Sequence, residues 1–442
     1  MMNEKHTKTR KGWLALLPLL LLLLLMAVSV FGSNFDNPLP MTVVFSLVAI
    51  FAIATLRGFS FDHRIRIFSS GAGAQDLLLM VWIFILAGAF AQGAREAGAV
   101  DAMVDLCLRF IPAEFILVGL FLSACLVSLC VGTSVGTIAA IVPVAIEMSN
   151  RTGGVLPMFV GAVVGGAFFG DNLSFISDTT VAATKTQGCM MTDKFRANSR
   201  LAIPAAIVTL LVYFFFGAHT VFPADSVTGI VPAGHAAGHI LTIPYFAVLI
   251  AAVFGANVLL VLPLGILLTG IVGLSCGTLT WTSWMVASGK GISSMGDLIL
   301  VSMLAGGCLA VVRAGGGLTW LVRGLTKRVK TRRQAECAIS ALVSATNLCT
   351  ANNTIAILSV GEIVRTIARR YKITSRRSAS LLDVFSCVVQ GLIPYGAQLL
   401  MAAGLAALNP LHIIPYIYYP IVLGFITIVS ILFAKSAKSE EM

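Results

Sequence analysis

Apolar runs of the kind that cross a bilayer recur from one end of this 442-residue chain to the other, and nothing else constrains its fold as much. They lie near 13–31, 41–56, 77–94, 114–131, 138–148, 155–184, 201–217, 243–256, 257–275, 297–313, 335–350, 355–368, 379–407 and 411–434. Inside hydrocarbon no water is present to satisfy backbone N–H and C=O groups, so each run must be helical, and a span needs about 20 residues. Composition agrees, with 58% hydrophobic and only 11% charged residues, where soluble domains run to about a quarter charged. The expected fold is an all-α polytopic membrane protein of about 10–12 spans, with no second, soluble domain.

The net charge of +11 would raise nucleic-acid binding in a soluble protein. Here the basic residues gather in short segments between apolar runs, the pattern of cytoplasmic loops, so the expected partner is the lipid bilayer and not nucleic acid. Lys5 to Lys11 precede the run from Trp13 to Phe31 without a small-x-small cleavage site, which reads as an uncleaved first span. Loop charge places both termini in the cytoplasm of a cell bounded by a plasma, or bacterial inner, membrane. The nine cysteines form no CxxC pair and read as small apolar residues.

Several runs are too short or too polar to cross alone, so broken or re-entrant helices are expected around 131–138, 171–179, 350–355 and 391–397. These breaks pair off: Cys130 with Cys349, Thr133 with Asn352 and Phe175 with Pro394, each separated by 219 positions, half the chain. The layout repeats although the letters scarcely do, which predicts two membrane repeats, 1–219 and 220–442. Loop charge makes them inverted. The connection around Arg151 is nearly neutral, while its partner carries Arg369, Arg370, Lys372, Arg376 and Arg377; conversely Lys185, Lys194, Arg196 and Arg200 face 404–419, which has no Lys or Arg. Inverted repeats with discontinuous helices are the plan of secondary transporters, with the site at the breaks near the midplane. It requires 114–148 and 335–367 to enter and leave on one side as re-entrant hairpins.

The most informative stretch is Gly170-Asp171-Asn172-Leu173-Ser174-Phe175-Ile176-Ser177-Asp178-Thr179-Thr180, polar residues set into an apolar segment. A carboxylate at the bilayer centre costs about 2.5–3.5 kcal/mol or more, so it persists only beside a cavity or partner. Asp171 and Asp178, interleaved with hydroxyls of Ser174, Ser177 and Thr179, supply the hard oxygen ligands a small alkali cation prefers, together with carbonyls freed by an unwound helix. One carboxylate can hold a proton or a cation, and that competition is the minimal mechanism of an exchanger. If the segment is helical, Asp171, Ser174 and Asp178 share a face; if it unwinds at 173–176, the two aspartates flank the break.

The string resembles the G-D-x-x-S-P-x-S-D-T-T signature of the NhaC-type sodium/proton antiporter family, matching at Gly170, Asp171, Ser174, Ser177, Asp178, Thr179 and Thr180 and departing at Phe175, where the family has proline. Gly93 to Asp101 and Gly132 to Thr137 are similar to family segments as well. The resemblance implies sodium/proton antiport on the ion-transporter superfamily fold, with sodium and protons as the transported ions and no cofactor. Relatives also exchange organic acids.

Thr133, Ser134, Asn352 and Asn353 occupy matching interruptions and are expected to place hydroxyl and amide oxygens from two facing tips at one centre, or else to join helices by hydrogen bonds. Glu96, on the predicted outer side, and Glu362, past the second-half break, are candidates for an ion path; Glu362 is equally placed to pair with Arg365 or Arg369. In the second half, Gln390 and Ala397 stand where Asp171 and Asp178 stand in the first, so negative charge is one-sided. His235 and His239 lack an acidic third ligand and do not read as zinc ligands. No Walker-type, HExxH or GxSxG motif is present, so neither an ATP-driven pump nor a hydrolase is expected.

The expected function is alternating-access sodium/proton antiport, with proton and cation competing for membrane-embedded aspartates. The alternative is a sodium- or proton-coupled exchanger of a small organic anion or amino acid. An intramembrane aspartyl enzyme using Asp171 and Asp178 is the remote rival. A homodimer is compatible with any of these.

Overall fold

The computed structural model describes residues 12–32, 39–110, 112, 115–174, 177–220, 238–254, 256–326 and 329–433. Among them every regular element is a helix. The first half runs α1 (Leu17–Gly32), α2 (Met41–Thr55), α3 (Phe61–Ala72), α4 (Gln75–Glu96), α5 (Ala99–Phe110), α6 (Ile116–Val131), α7 (Ser134–Thr152), α8 (Leu156–Leu173), α9 (Asp178–Gln187) and α10 (Met191–Thr220). The second runs α11 (Gly238–Leu241), α12 (Ile243–Val253), α13 (Val258–Ser275), α14 (Trp281–Ser294), α15 (Gly296–Ala314), α16 (Gly317–Thr326), α17 (Arg332–Thr350), α18 (Asn353–Arg370), α19 (Ser375–Gln390), α20 (Ala397–Ala406), α21 (Pro410–Ile413) and α22 (Tyr418–Leu432).

The 219-residue interval holds at the level of elements. It carries α2 to α9, in order, onto α13 to α20, with ends agreeing within three residues. Packing is reciprocal between the halves. Helix α9 lies against α18 as α20 lies against α7; α4 packs on α14 as α15 packs on α3. All four expected breaks are present, at 132–133, at Ser174 and Ser177, at 351–352 and at 391–396.

Backbone shape repeats even where residue type does not. Gly132, Gly153 and Gly188 adopt left-handed φ of 73°, 65° and 68°, the conformation that ends a helix while satisfying its last carbonyls. Their counterparts 219 residues on are Ala351, Lys372 and Ala407, with φ of 49°, 52° and 52°, the only non-glycine positive φ angles among the described residues. A side chain there crowds the backbone, whereas glycine does not. Ala407→Gly should therefore raise stability by about 0.5–1 kcal/mol, read as a higher melting temperature in detergent, and Gly188→Ala should lower it.

Helix α8 is the buried axis of the molecule. Of the five segments among the described residues long and apolar enough to cross a membrane, Leu77–Glu96, the stretch Leu156–Gln187 that holds α8 and α9, Met191–Phe216, Val258–Ser275 and Trp281–Ala314, the second has 94% of its apolar stretch enclosed, against 33–39% for the others. Glycines let its neighbours approach. A Cβ on Gly170 would meet Ser128 of α6 at 2.3 Å, and one on Gly166 the Phe121 carbonyl oxygen at 2.5 Å. Ser128 Oγ closes the same seam by donating to the Ala167 carbonyl at 2.6 Å. Gly170→Ala should force α6 and α8 apart at a cost of about 1–3 kcal/mol, seen as lower yield of monodisperse protein.

By length and composition, five helices among the described residues are long and apolar enough to cross a membrane, or six if Ala397–Ala406 and Pro410–Tyr416, bent by 97°, are one span; shorter apolar helices such as Ile116–Leu129 and Tyr418–Leu432 stand beside them. One expectation needs correction: Lys194 is not a loop charge but lies in α10 with 1% of its surface exposed. Phe175, both chain termini and His235 fall outside the described residues.

Candidate ion-binding site

The tip between α6 and α7 is built by two local signals. Gly132 turns the chain with its left-handed φ, and Thr133 caps α7, its Oγ1 accepting from the Gly136 N–H at 3.1 Å. This leaves Ser134, the first residue of α7, facing α8. Its hydroxyl donates to Asp171 Oδ2 at 2.6 Å. Helix α8 ends two residues past Asp171; Ser174 takes its C-cap and Ser177 the N-cap of α9, both in extended backbone, and α9 begins at Asp178. Ser177 Oγ reaches back to Asp171 Oδ1 at 3.3 Å and shares a 3.0 Å hydrogen bond with Thr179 Oγ1. Asp171, Ser134, Ser177 and Thr179 are all buried. Asp171 is thus held by one hydroxyl from the tip and one from the unwound stretch.

The other predicted residues divide. Ser174 is buried and turns its carbonyl to the Thr180 hydroxyl at 2.8 Å. Asp178 is exposed at the first residue of α9, where a helix N-terminus favours negative charge, and does not share the enclosure of Asp171. At the second tip, Asn352 caps α18, its Oδ1 accepting from the Ile355 N–H at 3.0 Å, and Asn353 turns toward Cys387 of α19. Glu96 and Glu362 are both exposed, and Glu362 forms no ion pair with Arg365 or Arg369. The structure brings neither to Asp171.

The two tips are nevertheless connected. Gln390, at the counterpart position of Asp171, donates from Nε2 to the Ala351 carbonyl at 3.0 Å and to Gln398 Oε1 at 2.9 Å. Gln398 Nε2 in turn donates to Ser134 Oγ at 3.0 Å. A relay therefore runs from Ala351 through Gln390, Gln398 and Ser134 to Asp171.

Sequence reading missed the neighbouring pair. Lys194 Nζ lies 2.9 Å from Asp383 Oδ2 of α19, and the two side chains are 1% and 0% exposed. Lysine spends its three donors on Asp383, the Asn172 carbonyl at 2.9 Å and Thr180 Oγ1 at 2.6 Å. Asn198 Nδ2 joins the Asn172 carbonyl at 2.9 Å to Asp383 Oδ2 at 2.7 Å. Lys194 thereby ties the unwound segment to α10 and α19. Asp383 was visible as a lone carboxylate inside the run 379–407, the pattern that marks intramembrane function. Lys194 was hidden in a basic cluster. Taken together, Asp171, Asp383 and Lys194 carry one carboxylate more than they carry ammonium. No group of three His, Cys, Asp or Glu side chains fit to hold a metal ion occurs among the described residues.

The sequence model of the Na+/H+ antiporter family matches residues 9–218 and 226–437. The chain belongs to that family. It is 26% identical over 378 residues to the Na(+)/H(+) antiporter NhaC of Bacillus subtilis, covering 78% of this chain and 81% of the relative. The NhaC of Alkalihalophilus pseudofirmus is 21% identical over 440 residues, covering 93% and 94%. A third relative, the malate-2H(+)/Na(+)-lactate antiporter of Bacillus subtilis, is 27% identical over 184 residues, covering 41% of this chain and 38% of its own. Membership makes this member of the Na+/H+ antiporter family an integral membrane transporter and not an enzyme, with sodium ions and protons as its transported species.

Proposed function

We propose that the protein exchanges sodium for protons by alternating access at Asp171. The observation that carries this reading is the single uncompensated carboxylate of the enclosed set, held by Ser134 and Ser177, with Thr179 bonded to Ser177. One proton or one monovalent cation neutralises it, and the hydroxyls are hard oxygen donors suited to an alkali ion. Binding of one excludes the other. Either form is electrically neutral and crosses at lower cost than the bare carboxylate, which is what couples the two fluxes. Asp178, exposed just beyond the break, stands where it would gather cations without competing for the enclosed site.

Alternating access draws support from an asymmetry between the tips. The second tip, at Ala351 and Asn352, opens onto a cavity of about 410 Å3. At the first, a Cβ on Gly136 would come within 2.5 Å of Val258. The second tip thus borders a cavity, while at the first the start of α7 lies close against α13. We infer two inverted repeats, 1–219 and 220–442, whose exchange of conformation would close the second tip and open the first; the division of the family match near residue 219 accords with this. The same reading places both termini in the cytoplasm of the bacterial inner membrane.

The test is proton movement in proteoliposomes of purified protein, followed with an internal pH indicator after a sodium pulse. Sodium-driven proton flux with no organic solute present is the expected result. Flux that appears only after malate, lactate or an amino acid is added would move the assignment to coupled organic-solute exchange.

A further inference from the structure

Two glutamines stand where the second half repeats the ion site of the first. Gln390 is the counterpart of Asp171, and Gln398, in the first turn of α20, is the counterpart of Thr179, each 219 positions on. Both side chains are buried. Gln390 Nε2 lies 3.0 Å from the Ala351 carbonyl oxygen and 2.9 Å from Gln398 Oε1, so an N–H donor sits between these two oxygens. The remaining donor is passed to the other half of the chain: Gln398 Nε2 reaches Ser134 Oγ at 3.0 Å.

The direction of this relay is set at its far end. A backbone carbonyl only accepts, so Gln390 must present Nε2 to Ala351. The same nitrogen meets Gln398, which must answer with Oε1, and the Gln398 amide is thereby turned with its NH2 on Ser134. A serine hydroxyl has one hydrogen and two lone pairs. With one lone pair taken by Gln398, the hydrogen goes to Asp171 Oδ2 at 2.6 Å and the other lone pair is left for an incoming cation. A hydroxyl without that partner turns among several arrangements, and fixing one of them costs entropy at the moment of binding. We propose that Gln398 is a positioning residue for sodium, which sets the affinity of the ion site by orienting the Ser134 hydroxyl. Its own Oε1 is spent on Gln390, so it acts through Ser134 and not on the ion. The proposal rests on the reading of Asp171 as the sodium site and gives the second half of the chain a part in that site.

The experiment is equilibrium dialysis of radiolabelled sodium against the purified full chain in detergent, with folding of each variant compared by melting temperature. Gln398→Met keeps the length of the side chain and removes the N–H; it should weaken sodium binding about five-fold, the contribution of one hydrogen bond. Because the effect runs through Ser134, the double variant Ser134→Ala with Gln398→Met should bind no more weakly than Ser134→Ala alone. Gln390→Met keeps the Gln398 amide and removes the group that orients it. It should give a smaller loss that likewise vanishes in the Ser134→Ala background, and it decides the matter if Gln398→Met does not fold. In proteoliposomes the Gln398→Met loss should fall on the apparent KM for sodium more than on maximal rate. Losses that multiply in the double variants, or a fall in maximal rate with KM unchanged, would make Gln398 a structural support of the tip and overturn the proposal. Wild-type affinity in Gln398→Met, with binding still lost in Asp171→Asn, would overturn it and leave the ion-site reading standing. Sodium binding undiminished in Asp171→Asn would overturn both.

Discussion

Asp171→Asn should lower sodium-driven proton flux by at least about 100-fold, corresponding to the loss of about 3 kcal/mol of charged-ligand interaction. The amide keeps the size of the side chain and leaves Oδ1 able to accept from a hydroxyl, so the packing around α8 survives. What vanishes is the single excess negative charge of the enclosed set. Ser134→Ala is the graded companion. It removes the 2.6 Å donor to Asp171 and the acceptor of Gln398 together, so apparent sodium affinity should fall several-fold while transport persists. In the wild type, the proposed competition of the two ions for one carboxylate predicts that acidifying the side from which sodium binds raises apparent KM for sodium without changing maximal rate. Flux in Asp171→Asn equal to wild type would show that the exchanging group lies elsewhere, with Asp383 next to be tested.

Breaking the buried pair should have the largest effect on folding. Lys194→Met leaves Asp383 enclosed with neither counter-charge nor solvent, and Asp383→Leu does the same to Lys194; each single change should cost about 3–5 kcal/mol. That is a large share of the stability of any domain, so neither variant should accumulate as monodisperse protein. The double variant Lys194→Met with Asp383→Leu removes both charges and fills similar volume, and should recover much of the yield, because a buried ion pair is often no more stable than an apolar replacement. Melting temperature and size-exclusion profile decide the point. Recovery of yield with proton flux still absent would show that the pair contributes to transport as well as to architecture. Equal stability in all four proteins would mean that the ion pair holds nothing together.

Much of this was legible in the residues. Apolar runs announced a helical membrane protein, since hydrocarbon leaves the backbone no alternative. The breaks were legible because glycine and polar side chains interrupt runs that would otherwise continue, and their spacing gave the 219-residue interval. Asp171 with Ser134 and Ser177 could be grouped because a carboxylate in hydrocarbon needs partners and the candidates were few. What could not be read was which polar residues face one another across helices. Asn352 reads as an oxygen donor to a shared centre, but its oxygen caps its own helix. Asp178 reads as the equal of Asp171, yet a helix start places it outside the enclosure.

The sequence by itself therefore determined the solvent, the helical class and the position of every described break, because each follows from local composition and the cost of an unsatisfied group in hydrocarbon. Tertiary structure alone decided that Lys194 meets Asp383 across 189 residues and that Gln390 and Gln398 join the two tips. Those facts depend on how helices distant in the chain are rotated against each other. Residue identity constrains that rotation only through the packing of the whole.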